Sequence, residues 1–113
     1  MVNSNQKGKR GERELAEVLR RHGYDGARRG QQRSGVDQPD VIGGPDGWHI
    51  EAKFVERLNI WAAWAQAERD AQGKLPMVAM KRSRSGWLAV VPLDVLLGLI
   101  RLADPTPVEG GPE

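Results

Sequence analysis

The segment Trp48–Val55 constrains the fold more than any other part of the chain. Its residues alternate, with Trp48, Ile50, Ala52 and Phe54 on one face of a strand and His49, Glu51 and Lys53 on the other. The dense turn signal Gly43-Gly44-Pro45-Asp46-Gly47 precedes it. One face of this strand is apolar and calls for a covering layer. The other presents an imidazole, a carboxylate and an ammonium group side by side.

The elements around that strand follow from periodicity and punctuation. Leu15, Ala16, Val18 and Leu19 recur at helical spacing, which predicts a helix over Gly8–His22 with Gly23 as its stop; Glu12 shares the inward stripe and Glu14 does not. Met1–Gln6 reads as a polar, frayed lead. Tyr24–Arg29 reads as a first strand, Gly30–Gln38 as a mobile polar loop, and Asp40–Gly43 as a short strand introduced by Pro39. A helix is expected from the cap Asn59 to Ala71, closed by Gly73. Strands follow at Pro76–Lys81 and Gly86–Val91, joined by the basic turn Arg82–Ser85, and then a Leu-rich helix over Leu93–Leu102. The order α-β-β-β-α-β-β-α packs most simply as an α/β fold, one small mixed sheet flanked by helices.

With 113 residues, the chain is expected to form one domain over residues 1–103, followed by a flexible Pro/Gly tail over 104–113. A core of that size has little room for Trp48, Trp61, Trp64 and Trp87, so some of the four are expected at a subunit interface. The absence of cysteine excludes disulfides, a thiolate nucleophile and Cys-ligated zinc. The longest apolar stretch, Leu88–Leu102, is broken by Pro92, Asp94 and Arg101, which excludes a membrane span, and no signal segment opens the chain. The expected setting is the cytoplasm, with no membrane and no small-molecule substrate.

Charge is unevenly spread. Residues 1–34 carry nine basic side chains against four acidic ones, and a second basic cluster, Lys81-Arg82-Ser83-Arg84, lies in a turn. Such asymmetry suits a polyanion, because each Lys or Arg beside a phosphate releases counterions. The same residues also read as a solvated helix face with i,i+4 pairs such as Arg10–Glu14 and Glu17–Arg21.

Three acids and a lysine carry the chemistry. Asp40 follows Pro39 at the start of a strand that Gly43-Gly44 cuts short, which lets its carboxylate sit at a sheet end, and Glu51 and Lys53 share one strand face. Carboxylates near a strand end form a hard-oxygen site suited to Mg²⁺, with Mn²⁺ as a substitute. Lys53 beside Glu51 is placed to orient a water or stabilise a developing anion. Asp37 competes with Asp40 as the strand-end acid, and Asp40 is preferred because Asp37 stays in the loop.

This Pro-Asp…Glu-x-Lys pattern resembles the signature of the PD-(D/E)xK nucleases. The stretch Lys7–Tyr24, KGKRGERELAEVLRRHGY, resembles the first helix of archaeal-type Holliday junction resolvases, and the likeness runs from about Lys7 to Val91. The chain is also similar to small resolvase-like nucleases of bacteriophages, which would place it in a host cytoplasm. The resemblance implies a restriction-endonuclease-like core and a homodimer that cuts four-way DNA junctions in symmetric pairs with Mg²⁺. It implies Glu12, Asp40 and Glu51 as metal ligands, Lys53 as the catalytic lysine and Gln66 as a residue helping to hold the site. It further implies DNA contacts by Arg13 and Arg28 and a serine-containing loop at Ser34; Lys9, Arg10, Arg29, Arg33, Arg82 and Arg84 add basic groups for the backbone. The chain is shorter after Val91 than a typical member.

Other candidates carry plainer readings. His49 reads as structural, His22 as a helix-terminal residue, and Trp61 and Trp64 as core or interface. Two rivals to junction resolution stay open: a related nuclease acting on flaps, nicks or duplex, and a catalytically silent DNA-binding module.

Overall fold

The computed structural model describes residues 4–30, 32–33, 36–37 and 39–104, with the backbone alone at 4–5, 32–33 and 36–37. Helix α1 (Ser4–Arg21) leads into a short ribbon in which β1 (Arg28–Arg29) pairs antiparallel with β4 (Val41–Ile42); between them, β2 (Gln32–Arg33) pairs with β3 (Val36–Asp37). Strand β5 (Trp48–Phe54) runs into α2 (Ile60–Asp70), and the chain returns as β6 (Leu75–Lys81), parallel to β5. Strand β7 (Leu88–Val90) adds antiparallel to β6, and α3 (Leu93–Ala103) follows. The result is an α/β fold built on a small mixed sheet, β5-β6-β7, beside a two-stranded ribbon.

The sheet has a helix on each face, and the alternation in β5 decides which. Ile50 packs with Leu15 and Ala16 of α1, Val41 of β4 and Ala79 of β6, with Trp48, Ala52 and Trp87 around them. The opposite face receives α2, whose Ala63 and Ala67 pack on Val78. Ala63, Ala67 and Ala71 recur every four residues and are all buried, so the helix meets the sheet through side chains of a single carbon. On the other face Gly11 performs the same service for α1: a Cβ there would stand 2.6 Å from Cβ of Phe54.

Chain ends and turns follow their expected chemistry. Helix α1 closes with paired bonds from Tyr24 to Leu19 (3.0 Å) and from Gly23 to Arg20 (3.0 Å), with Gly23 at φ +97, the left-handed conformation this cap requires. Asn59 caps α2 by accepting the Ala62 amide at 3.0 Å. Gly43 ends β4 at φ +83, where a side chain would collide with the Gly26 carbonyl.

Several expectations need correction. Helix α1 begins at Ser4, so part of the lead read as frayed is helical. The first strand is only Arg28–Arg29; Tyr24 belongs to the helix cap and its carbonyl accepts the Ala27 amide at 2.9 Å. The segment read as a loop contains the β2–β3 pairing, set by backbone bonds that leave no periodic trace in a polar stretch. Trp48, Trp64 and Trp87 are half-buried against the two cores, whereas Trp61 is 81 % exposed. Among the described residues, no helix is long and apolar enough to cross a membrane.

Candidate active site

Asp40 is held from two sides. Its carbonyl accepts the Gly30 amide at 2.9 Å, extending the β1–β4 ribbon by one bond. Its Oδ2 accepts the Ala52 amide at 3.0 Å, on the edge of β5 away from β6. The carboxylate is thereby fixed against β5, between Glu51 and Lys53 in sequence.

From that position Asp40 acts on two other acids. It shares a hydrogen bond with Glu51, and Glu51 is pushed above the ordinary carboxylate range, first by burial and then by the Asp40 charge. Glu12 rises as well, mainly by burial, with the Asp40 charge adding to it and a bond from Arg29 opposing it. Glu12 of α1 and Glu51 of β5 thus each feel the charge of Asp40, although the three acids do not form a group with ligand atoms within 4.8 Å of one another. Asp40 is the common neighbour.

Helix α2 supplies the other wall. It runs back along β5, so two turns of the helix track alternate strand positions. Gln66 Oε1 accepts from Lys53 Nζ at 3.0 Å. One turn further on, Asp70 comes close to His49 and Glu51; the ligand atoms of these three lie within 4.8 Å of one another, the one such group among the described residues. His49 Nε2 is 3.0 Å from Glu51 Oε1, and both residues are buried. Glu12, Asp40, Lys53 and Gln66 all line one open cleft of about 480 Å³, with Lys7 and Phe54 at its rim. Glu51 lies behind that cleft, on the α2 side of the strand.

Lys7 and Phe54 also border a second cleft of about 390 Å³, lined by Arg10, Lys81 and Arg84. Three cations stand over the Phe54 ring, Lys7 at 4.8 Å, Lys81 at 5.3 Å and Arg10 at 5.6 Å from its centroid. Acids partner them: Glu14 takes Lys81 at 2.8 Å and Arg10 at 2.9 Å and is held below the usual range by both, the Lys81 bond first. Glu56 bonds Lys7 and Ser83, which lowers it to about 2 and ties the start of α1 to the β6–β7 turn.

The basic residues singled out by sequence are dispersed. Lys9, Arg13, Arg28, Arg82 and Arg84 are exposed, and Arg10 pairs with Glu14 as the i,i+4 reading anticipates. Arg29 instead points inward, its Nε 2.7 Å from Glu12 Oε1. Ser34 and the side chain of Arg33, like that of Asp37, lie outside the described residues. Sequence reasoning did not place Lys7 and Lys81 over Phe54, read His49 as structural and gave Asp70 no part in the site. His49 and Glu51 share a strand face and Gln66 and Asp70 a helix face, so the signal was present in two spacings whose alignment only the fold supplies.

A carboxylate at a strand start, Glu-x-Lys on the neighbouring strand and an acid from the first helix, all on an α/β core, define a nuclease of the PD-(D/E)xK kind. The family model described as archaeal Holliday junction resolvase (Hjc) matches residues 3–96, and the chain belongs to that family. It is thus a DNA nuclease of the junction-resolving type, with a part in recombination and repair. No curated protein and no solved structure matches the chain significantly.

Proposed function

We propose that the chain is a metal-dependent, structure-selective endonuclease of the cytoplasm that resolves four-way DNA junctions as a homodimer, cutting symmetric strands in pairs. One observation carries the reading: Asp40, locked on the Ala52 amide, holds its charge against both Glu51 and Glu12 in a partly dehydrated corner. Like charges so gathered are unfavourable unless protons or a cation offset them. The donors are hard oxygens, which suits Mg²⁺ and admits Mn²⁺. Glu12, Asp40 and Glu51 would hold the ion, which lowers the pKa of an attacking water and neutralises charge growing on the phosphate. Lys53, steadied by Gln66, orients that water or meets the developing anion. The basic cleft around Phe54 adjoins the acidic one and guides the phosphate backbone into it. Asp40→Asn and Glu51→Gln should each bind junction DNA and fail to cut it; wild-type-like cleavage by either variant in Mg²⁺ would falsify the assignment.

The dimer rests on α3. Leu93, Leu97 and Ile100 fall on one stripe and are 65 %, 53 % and 55 % exposed, and no described residue of this helix is buried. Beside it opens an apolar groove of about 850 Å³ lined by Leu58, Ile60, Trp61, Trp64 and Val90. Continuous apolar surface of this kind is uncommon on a monomer. A second copy fits best, because two-fold pairing covers helix and groove at once.

A further inference from the structure

We propose that His49 is a positioning residue of this site: its imidazole, buried between β5 and the end of α2, fixes the Glu51 carboxylate in the orientation needed to hold a divalent cation. This rests on the metal-site reading above and adds to it a residue that touches neither cation nor DNA.

His49 and Glu51 are 5 % and 4 % exposed, and Nε2 lies 3.0 Å from Oε1. An ionised carboxylate only accepts hydrogen bonds, so in that state Nε2 carries the hydrogen and the imidazole is the donor. Asp70, exposed at the end of α2, brings a second carboxylate within 4.8 Å of the ligand atoms of His49 and Glu51, a proximity that does not by itself make a hydrogen bond. With Oε1 engaged, Glu51 loses its freedom to rotate and presents its remaining lone pairs toward the Asp40 side. Outer partners that orient a ligand in this way commonly alter metal affinity or activity by about 10–100-fold when removed. A purely packing role is a poor account of the same facts. His49 is almost fully buried, and an imidazole so buried is costly unless its N–H is used.

The test measures Mn²⁺ binding to the full chain without DNA, by the EPR signal of the free ion, alongside cleavage kinetics and thermal unfolding. His49→Leu keeps the volume and removes the donor; it should weaken Mn²⁺ binding about 10–100-fold and lower kcat while leaving KM for junction DNA and the Tm near those of the wild type. His49→Gln, whose amide N–H can reach Oε1, should recover most of the loss. Wild-type Mn²⁺ affinity and kcat in a folded His49→Leu protein overturn the proposal. Should His49→Leu fail to fold, His49→Asn decides, because its shorter amide leaves Oε1 unreached; an affinity equal to that of His49→Gln then overturns it. Glu51→Gln separates the two readings. Undiminished Mn²⁺ binding in that variant removes the metal site itself, whereas loss there with none in His49→Leu removes only the role of His49.

Discussion

The Oδ2 atom of Asp40 accepts the backbone amide of Ala52 at 3.0 Å, so a carboxylate stands where a neighbouring strand would offer its carbonyl. The bond has a structural and a chemical side, and two substitutions pull them apart. Asp40→Asn keeps an acceptor for the Ala52 amide and removes the repulsion felt by Glu51 and Glu12, so it should unfold at or above the wild-type denaturant concentration. Asp40→Ala removes the same charge but leaves that amide to water, and should be less stable than Asp40→Asn by about 1 kcal/mol in chemical denaturation. Equal stability of the two variants would remove the edge-capping role of Asp40.

Gly11 sets how closely α1 approaches β5, and Glu12 is the next residue. A Cβ at position 11 would meet Cβ of Phe54, an atom tied to the strand backbone, at 2.6 Å. Gly11→Ala should therefore destabilise the protein by about 1–3 kcal/mol through overpacking, despite the better helix propensity of alanine. It should also lower cleavage, since the helix must shift and carries Glu12 with it. A gain in stability would show that α1 moves away at no cost.

Lys53 and Gln66 form a pair across β5 and α2, 3.0 Å apart. Lys53→Met preserves the stem and should reduce kcat by about 10²-fold or more, with junction affinity little changed. Gln66→Leu removes only the steadying acceptor and should cost about 1 kcal/mol in the transition state, near fivefold in rate. A larger defect in Gln66→Leu than in Lys53→Met would reverse their order of importance.

Acid should act on this protein with two opposite signs. Glu14 is depressed by Lys81 and Arg10, so its contribution is complete above the ordinary value of 4.5 and disappears as pH falls through its lowered one. Glu14→Gln should thus be less stable than wild type at neutral pH and match it in strong acid. Glu51 is raised, so its ionisation opposes folding above its raised pKa and the penalty fades as pH falls from there toward 4.5. Without metal, Glu51→Gln should have a higher Tm than wild type at pH 7 and a smaller advantage near pH 4.5, which thermal melts across that range will measure.

Leu97→Asp combined with Ile100→Asp places two charges on the exposed stripe of α3. Light scattering should find a dimer for the wild type and a monomer for the variant, whose cuts in the junction should lose their symmetric pairing. Trp61, 81 % exposed in one protomer, should emit at longer wavelength in the variant. A dimeric variant would move the interface elsewhere.

Much of the fold was legible because its elements carry a period. The alternation of β5, the Asn59 cap and the stripes of α1 and α2 each appear at or within a few residues of where the spacing puts them. Both strands of the β1–β4 ribbon were anticipated, but their pairing was not legible, since Arg28 with Ile42 and Arg29 with Val41 leave no period to read. Site residues divide the same way. Lys53 with Gln66 was readable as strand and helix positions, and the structure brings them together. Arg29 reads as one more cation in a basic segment, and only its approach to β4 turns it onto Glu12. His49 looked structural because a histidine beside a sheet usually is, and the approach of Asp70 to it depends on the direction in which α2 returns.

Among the described strands, β5 finds its ladder partner in β6, which is made after α2. A chain ending with α2 would carry Glu12, Asp40, Glu51, Lys53 and Gln66, yet the strand bearing Glu51 and Lys53 would lack that ladder partner. The side chains of the site therefore depend for their rigidity on a segment that contributes none of them.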